Sequence, residues 1–179
     1  FCPQQLGKFH PDFDPILHEI LQRDPAGKLV IIAGKHPKVQ EKLLQRFRSK
    51  LGSAVDRVHF VPRLQGERYT SLFTHADVLL DPIHFGGVNT TYDALSLNKA
   101  VLTLPSRFFR CRATLGCYRQ IGYSECVAVS AADYVDKAVR LATDVEYRRS
   151  VETKLAERTD RLFDHQPSIG ELQSFFVRA

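Results

Sequence analysis

The sequence predicts an α/β fold with a parallel sheet, on three observations. Short apolar runs alternate with segments of helical period. The joins between them lack the two-residue turns of hairpins. The apolar runs are continuous rather than alternating, as in strands buried on both faces.

Taken in order, Phe1-Cys2 reads as the stub of a strand, followed by the loop PQQLGKFHP. From Asp12 to Gln22 the apolar residues Phe13, Ile16, Leu17, Ile20 and Leu21 fall at helical spacing, and Asp24-Pro25-Ala26-Gly27 stops the helix. The run KLVIIAG that follows is a buried strand. Val39 to Leu51 returns to helical period through Leu43, Leu44 and Phe47 and ends at Gly52. RVHFVP supplies a second strand, with Pro62 as its terminator.

A short helix from Glu67 to Thr74 then leads to the strand ADVLLD. The loop HFGGVN precedes a helix from Thr90 to Leu97, and AVLTLP is the next strand. An arginine-rich segment, Arg107 to Ile121, separates it from CVAVS, a weaker fifth strand. From Ala131 onward the chain is helical, with one apolar stripe through Tyr134, Ala138, Val139, Leu141 and Ala142. A second runs through Leu155, Leu162 and Phe163. Right-handed crossovers between such strands give a Rossmann-like parallel sheet with helices on both faces. The expectation is one domain over residues 1–179, with 131–179 a helical tail packed on it.

Composition narrows the function. No apolar run approaches the roughly eighteen residues of a membrane span; the longest is Leu29 to Ala33. The net charge of +5 is dispersed among acidic residues, which argues against a nucleic-acid surface while favouring a small anion. The four cysteines form no CxxC pair, so metal and disulfide roles are disfavoured and a reducing, cytoplasmic compartment is expected. The chain opens Phe-Cys-Pro-Gln and contains no Met, as expected of a piece of a longer protein.

In an open α/β sheet, ligands bind beyond the carboxyl ends of the strands, so the loops after each strand hold the candidates. In HFGGVNTTYDAL, Gly86 and Gly87 permit close backbone approach, and Asn89, Thr90 and Thr91 open a helix whose free N–H groups and dipole suit an anion. The same residues also fit a capped turn, because Thr90 followed by Asp93 resembles a capping box. The spacing is neither a Walker loop nor GxGxxG. Asp93, about one helical turn in, is placed to accept hydrogen bonds from a ribose diol. Gln5-Leu6-Gly7-Lys8 offers a lysine to neutralise charge on a leaving phosphate. Arg63-Leu64-Gln65-Gly66 offers backbone groups to a base edge. Arg107, Arg110, Arg112 and Arg119 are either phosphate partners or a solvated helix face. His84 is the one histidine placed in a candidate loop.

The stretches FCPQQLGKFHPDFDPIL, ADVLLDPIHFGGVNTTYDAL and AVLTLPSRFFRCRATLGCYRQIG, with the closing ELQSFF, resemble the carboxyl-terminal catalytic half of the O-linked N-acetylglucosamine transferase family, especially its SPINDLY-like bacterial members joined to tetratricopeptide repeats. The resemblance implies the carboxyl-terminal half of a GT-B glycosyltransferase, with the acceptor domain and repeats absent from this chain. It implies a UDP-sugar donor, a protein acceptor held by the absent N-terminal half, inversion at the anomeric carbon, and no cofactor or metal. By the same resemblance Lys8 is the catalytic lysine at the diphosphate. Gln5, Gly86, Gly87, Asn89, Thr90 and Thr91 surround the donor, Leu64 meets the base by its backbone, and Asp93 holds the ribose. His84 and Arg112 are further candidates. Gly66 and Tyr69 stand where animal members place a lysine and a histidine, which puts side-chain recognition of uracil in question. Another GT-B enzyme such as an epimerase, or a non-catalytic interaction module, are the alternatives.

Overall fold

The structure is a computed structural model that describes residues 1–178. Two parallel strand pairs form its centre: β1 (Leu29–Ile32) with β2 (Val58–Val61), and β3 (Leu79–Leu80) with β4 (Val101–Leu102). Phe1-Cys2 joins them. The Cys2 N–H donates to the Val30 carbonyl at 2.9 Å on one side, and the Leu80 N–H donates to the Phe1 carbonyl at 2.8 Å on the other. At the far edge Val127 makes a parallel bridge to Thr103. The spatial order is therefore β2, β1, Phe1-Cys2, β3, β4, Val127. Counted along the chain this is third, second, first, fourth, fifth, sixth, the doubly wound order of a Rossmann fold.

Eight α-helices accompany these strands among the described residues: α1 (Asp14–Arg23), α2 (Pro37–Leu51), α3 (Glu67–Thr74), α4 (Asn89–Ser96), α5 (Ala113–Gln120), α6 (Ala131–Thr143), α7 (Val145–Ala156) and α8 (Gln166–Arg178). Successive strand residues point to opposite faces, so the sheet divides the core in two. Cys2, Leu29, Ile31, Leu80 and Leu102 face the larger cluster, with Leu17 of α1, Phe47 of α2, Tyr118 of α5 and Tyr134 of α6. Phe1, Leu79 and Val101 face a smaller cluster with Phe73 of α3 and Ala94 of α4. The α6 stripe is buried through Tyr134, Val135, Ala138 and Leu141, and α7 adds Val151 and Leu155.

Three sequence expectations are corrected. The fifth strand, CVAVS, shrinks to the single bridge at Val127, because only Thr103 exchanges ladder hydrogen bonds with it, through Cys126 and Ala128 on either side of Val127. The expectation that the whole 131–179 segment packs on the domain holds for α6 and α7 alone. α8 buries no side chain, and leaves Phe175 and Phe176 64% and 69% exposed, because its apolar residues meet no face of the sheet or its helices. The capping box at Thr90 is absent: Val88 holds the N-cap position of α4, with no side-chain cap.

Candidate functional site

Strand order reverses between Phe1-Cys2 and β3, and the loops leaving these two strands face each other across the crevice that results. From the first loop come Gln4 and Lys8; from the second come Gly86 and the head of α4. Three hydrogen bonds connect them. Lys8 Nζ donates to Gln4 Oε1 at 2.8 Å and to the Gly86 carbonyl at 2.9 Å, and Gln4 Nε2 donates to Thr90 Oγ1 at 2.5 Å. The Lys8 ammonium also lies 4.5 Å from the centre of the Phe85 ring.

These groups sit at one end of a cleft of about 950 Å³. Its walls continue through Lys35 and His36 beyond β1 and through Arg63, Leu64 and Gly66 beyond β2. Lys8, Lys35 and Arg63 line it, and among the described residues no carboxylate does. The first-turn N–H groups of α4, at Asn89 and Thr90, have no acceptor among the described residues, as expected where a helix starts. Cations, orphan amides and the helix dipole thus act on one volume, which suits a polyanion. Burial pushes the Lys8 ammonium below the ordinary lysine range, opposed chiefly by the negative charge of Asp81.

Behind the cleft stands Asp81, only 3% exposed. Its Oδ1 accepts from the Gly87 N–H at 2.7 Å. Its Oδ2 accepts from the hydroxyls of Thr103 at 2.9 Å and Thr114 at 2.8 Å. The Tyr134 hydroxyl donates to the Asp81 carbonyl at 3.1 Å, which ties α6 to the same point. Burial raises the Asp81 carboxyl above the usual range, against the three donors and the Lys8 charge. A side chain at Gly86 would put its Cβ 2.6 Å from Asp81 Oδ2, so the glycine there is a packing requirement.

The structure redistributes the residues expected from sequence. Lys8, Gln5, Leu64, Gly86, Asn89 and Thr90 all line the cleft. Gly87 and Thr91 are framework instead: the Gly87 N–H is committed to Asp81, and Thr91 is 1% exposed with its hydroxyl 2.9 Å from that of Thr114. Gln5 is exposed, and the buried glutamine that joins the lysine to the helix is Gln4. Arg112 donates to the Ser106 carbonyl at 3.1 Å and lies outside the cleft lining. His84 turns to Asp12, at 2.9 Å, and is likewise outside it. Asp93 is also outside the lining, beside Tyr69, a cleft residue whose phenol is pushed up to about 12 by burial and then by the Asp93 charge.

Sequence inspection missed Gln4, Asp81 and Lys35. Lys35 was within reach, since it follows the strand KLVIIAG and the strand-end rule applies to it equally. Asp81 ends its strand, yet its three donors come from positions 87, 103 and 114 and share no local pattern.

Residues 1–171 match the sequence profile of glycosyl transferase family 41. The UDP-N-acetylglucosamine–peptide N-acetylglucosaminyltransferase of Caenorhabditis elegans is 27% identical over 167 residues, which are 92% of this chain and 14% of that protein. A probable SPINDLY transferase of Solanum lycopersicum is 24% identical over 156 residues, 85% of this chain and 16% of its own length. Among solved structures, a mutant O-GlcNAc transferase of Thermobaculum terrenum superposes with a TM-score of 0.86 at 24% identity. That match covers 99% of this chain and 35% of the other. The chain thus spans less than a fifth of the length of these two curated relatives.

Proposed function

The chain belongs to glycosyl transferase family 41, and from that premise we propose that it is the donor-binding domain of a UDP-sugar-dependent, inverting protein O-glycosyltransferase. The transferred sugar in this proposal is N-acetylglucosamine and the acceptor a Ser or Thr hydroxyl, as the names of the matched relatives suggest. The observation that carries it is the Lys8–Gln4–Thr90 chain of hydrogen bonds at the switch point, facing a cleft with cations and no carboxylate.

In the proposed reaction the acceptor hydroxyl oxygen attacks the anomeric carbon from the face opposite the diphosphate, and its proton passes to solvent. The bond from that carbon to the β-phosphate oxygen breaks, and UDP departs with the electron pair. Lys8 and the free amides of Asn89 and Thr90 stabilise the charge that grows on the phosphate. Because Gly86 and Gln4 already hold the ammonium, little reorganisation is required. Asp93 takes the ribose and the Leu64 backbone the base. The charge neutralisation is supplied by these groups, so the proposed reaction uses no metal and no cofactor.

Acceptor binding belongs to an N-terminal half outside this sequence, joined to tetratricopeptide repeats, and residues 1–179 act as a single donor domain that transfers little alone. Four buried free thiols, at Cys2, Cys111, Cys117 and Cys126, fit a reducing, cytoplasmic setting. No described helix is long and apolar enough to cross a membrane. The test is sugar transfer to peptide by the longer polypeptide. Lys8→Ala lowers turnover about 10²–10³-fold, as loss of one preorganised donor does; unchanged turnover removes Lys8 from the mechanism.

A further inference from the structure

The glycine loop carries a second constellation, outside the cleft lining. His84 Nε2 lies 2.9 Å from Asp12 Oδ2, and His10 Nδ1 lies 3.4 Å from the same oxygen. The two imidazole rings meet edge to face with centroids 4.7 Å apart. One donor atom from each of the three residues falls within 4.8 Å of the others. None of the three takes part in the Lys8–Gln4–Thr90 chain.

The backbone around them is held in place. His84 has a φ of 71°, a left-handed conformation uncommon outside glycine. Its carbonyl accepts from Arg110 Nε at 2.8 Å, and the Gly86 N–H donates to the Arg110 carbonyl at 2.9 Å. The Asp12 N–H donates to His10 Nδ1 at 3.2 Å, which folds the first loop toward the second.

We propose that His10, Asp12 and His84 bind one divalent transition ion of the zinc class, which clamps the loop before α1 to the glycine loop. Two imidazoles and one carboxylate are a borderline-soft set that suits Zn²⁺, Co²⁺ or Ni²⁺ and leaves further positions to water. Bonds of about 2.0–2.2 Å set tetrahedral donors about 3.4 Å apart, so His84 and Asp12 part slightly from 2.9 Å, His10 and Asp12 keep their 3.4 Å, and the widest separation in the set, within 4.8 Å, closes. Side-chain rotation supplies this, because His10, Asp12 and His84 are 49%, 63% and 36% exposed. The ion replaces the Asp12 N–H bond to His10 Nδ1 and the His84–Asp12 contact with metal bonds. His10 follows Lys8 by two residues, and His84 precedes Gly86 by two. The ion therefore fastens the outer ends of the two segments whose inner ends Lys8 joins. The site stands whether or not the cleft takes a nucleotide.

The test is titration of the chelator-treated chain with Co²⁺, followed by visible absorption, and then with Zn²⁺ as competitor. One Co²⁺ per chain is expected, with a ligand-field spectrum of nitrogen and oxygen coordination that Zn²⁺ abolishes. His84→Asn, which tolerates positive φ, and His10→Gln each weaken affinity tenfold or more, while His59→Gln leaves it unchanged. Circular dichroism verifies that each variant is folded. No binding by the unsubstituted chain, or unchanged affinity in either loop variant, overturns the proposal.

Discussion

The Lys8 ammonium donates to the Gly86 carbonyl across 2.9 Å, joining two loops 78 residues apart in the chain. The contact fixes the lysine at the mouth of the crevice between Phe1-Cys2 and β3, and it costs Lys8 part of its hydration. Both consequences are measurable.

Burial makes Lys8 easier to deprotonate than an ordinary lysine at 10.5. The charged form is the one that attracts a diphosphate. UDP affinity is therefore full below the Lys8 pKa and falls as pH rises through it, with a midpoint below 10.5. Titrations from pH 7 to 11 show this fall in the unsubstituted chain, and Lys8→Arg flattens it because a guanidinium stays charged. A flat profile for the unsubstituted chain would show that the lysine charge is not what holds the ligand.

Removing the Asp81 carboxylate strands the Gly87 N–H and the hydroxyls of Thr103 and Thr114 in the interior. Each unsatisfied donor costs about 1–3 kcal/mol, so Asp81→Ala loses about 3 kcal/mol or more in urea denaturation. Asp81→Asn keeps an acceptor for Gly87, and the two hydroxyls can turn to accept from its amide. Its cost is about 1 kcal/mol. Equal losses in the two variants would place the role of Asp81 in packing rather than in hydrogen bonding.

A Cβ at Gly87 would collide with Thr90 Oγ1 and Gln4 Nε2, the two atoms that bond across the crevice. Gly87→Ala therefore parts them and weakens UDP binding by about tenfold, near the ~1 kcal/mol worth of one hydrogen bond. Gly116→Ala, outside the cleft and with nothing within 4 Å of its Cβ, leaves binding unchanged. Similar affinities for both variants would mean that the Gln4–Thr90 bond does not shape the cleft.

Most of the fold was legible because its signals are local. The helix expected at Glu67 to Thr74 spans those residues in the structure, and KLVIIAG contains β1. ADVLLD yields only Leu79–Leu80 as a strand. Even so, hydrogen bonds at Val78 and Asp81 extend the ladder on both sides of it. The candidate cleft was legible where a residue lies in the loop or helix start that follows a strand, as with Lys8 and Thr90. Choosing Gln4 over Gln5 was not possible from sequence. Two adjacent glutamines are chemically equal, and only the turn into the 3₁₀ segment Leu6–Lys8 decides which points inward. The expectation of a packed closing helix failed because its apolar residues show period but not a partner. Cutting the chain after His165 is expected to leave thermal stability nearly unchanged, since α8 buries no side chain.

The central claim is that the cleft holds a nucleoside diphosphate through Lys8, and calorimetric titration of the chain with UDP, GDP and ADP tests it most directly. The prediction is one-to-one binding with UDP preferred. Lys8→Ala and Asp93→Ala each weaken it by about tenfold or more, equivalent to about 1.4 kcal/mol. A folded chain that binds none of the three nucleotides would contradict the account.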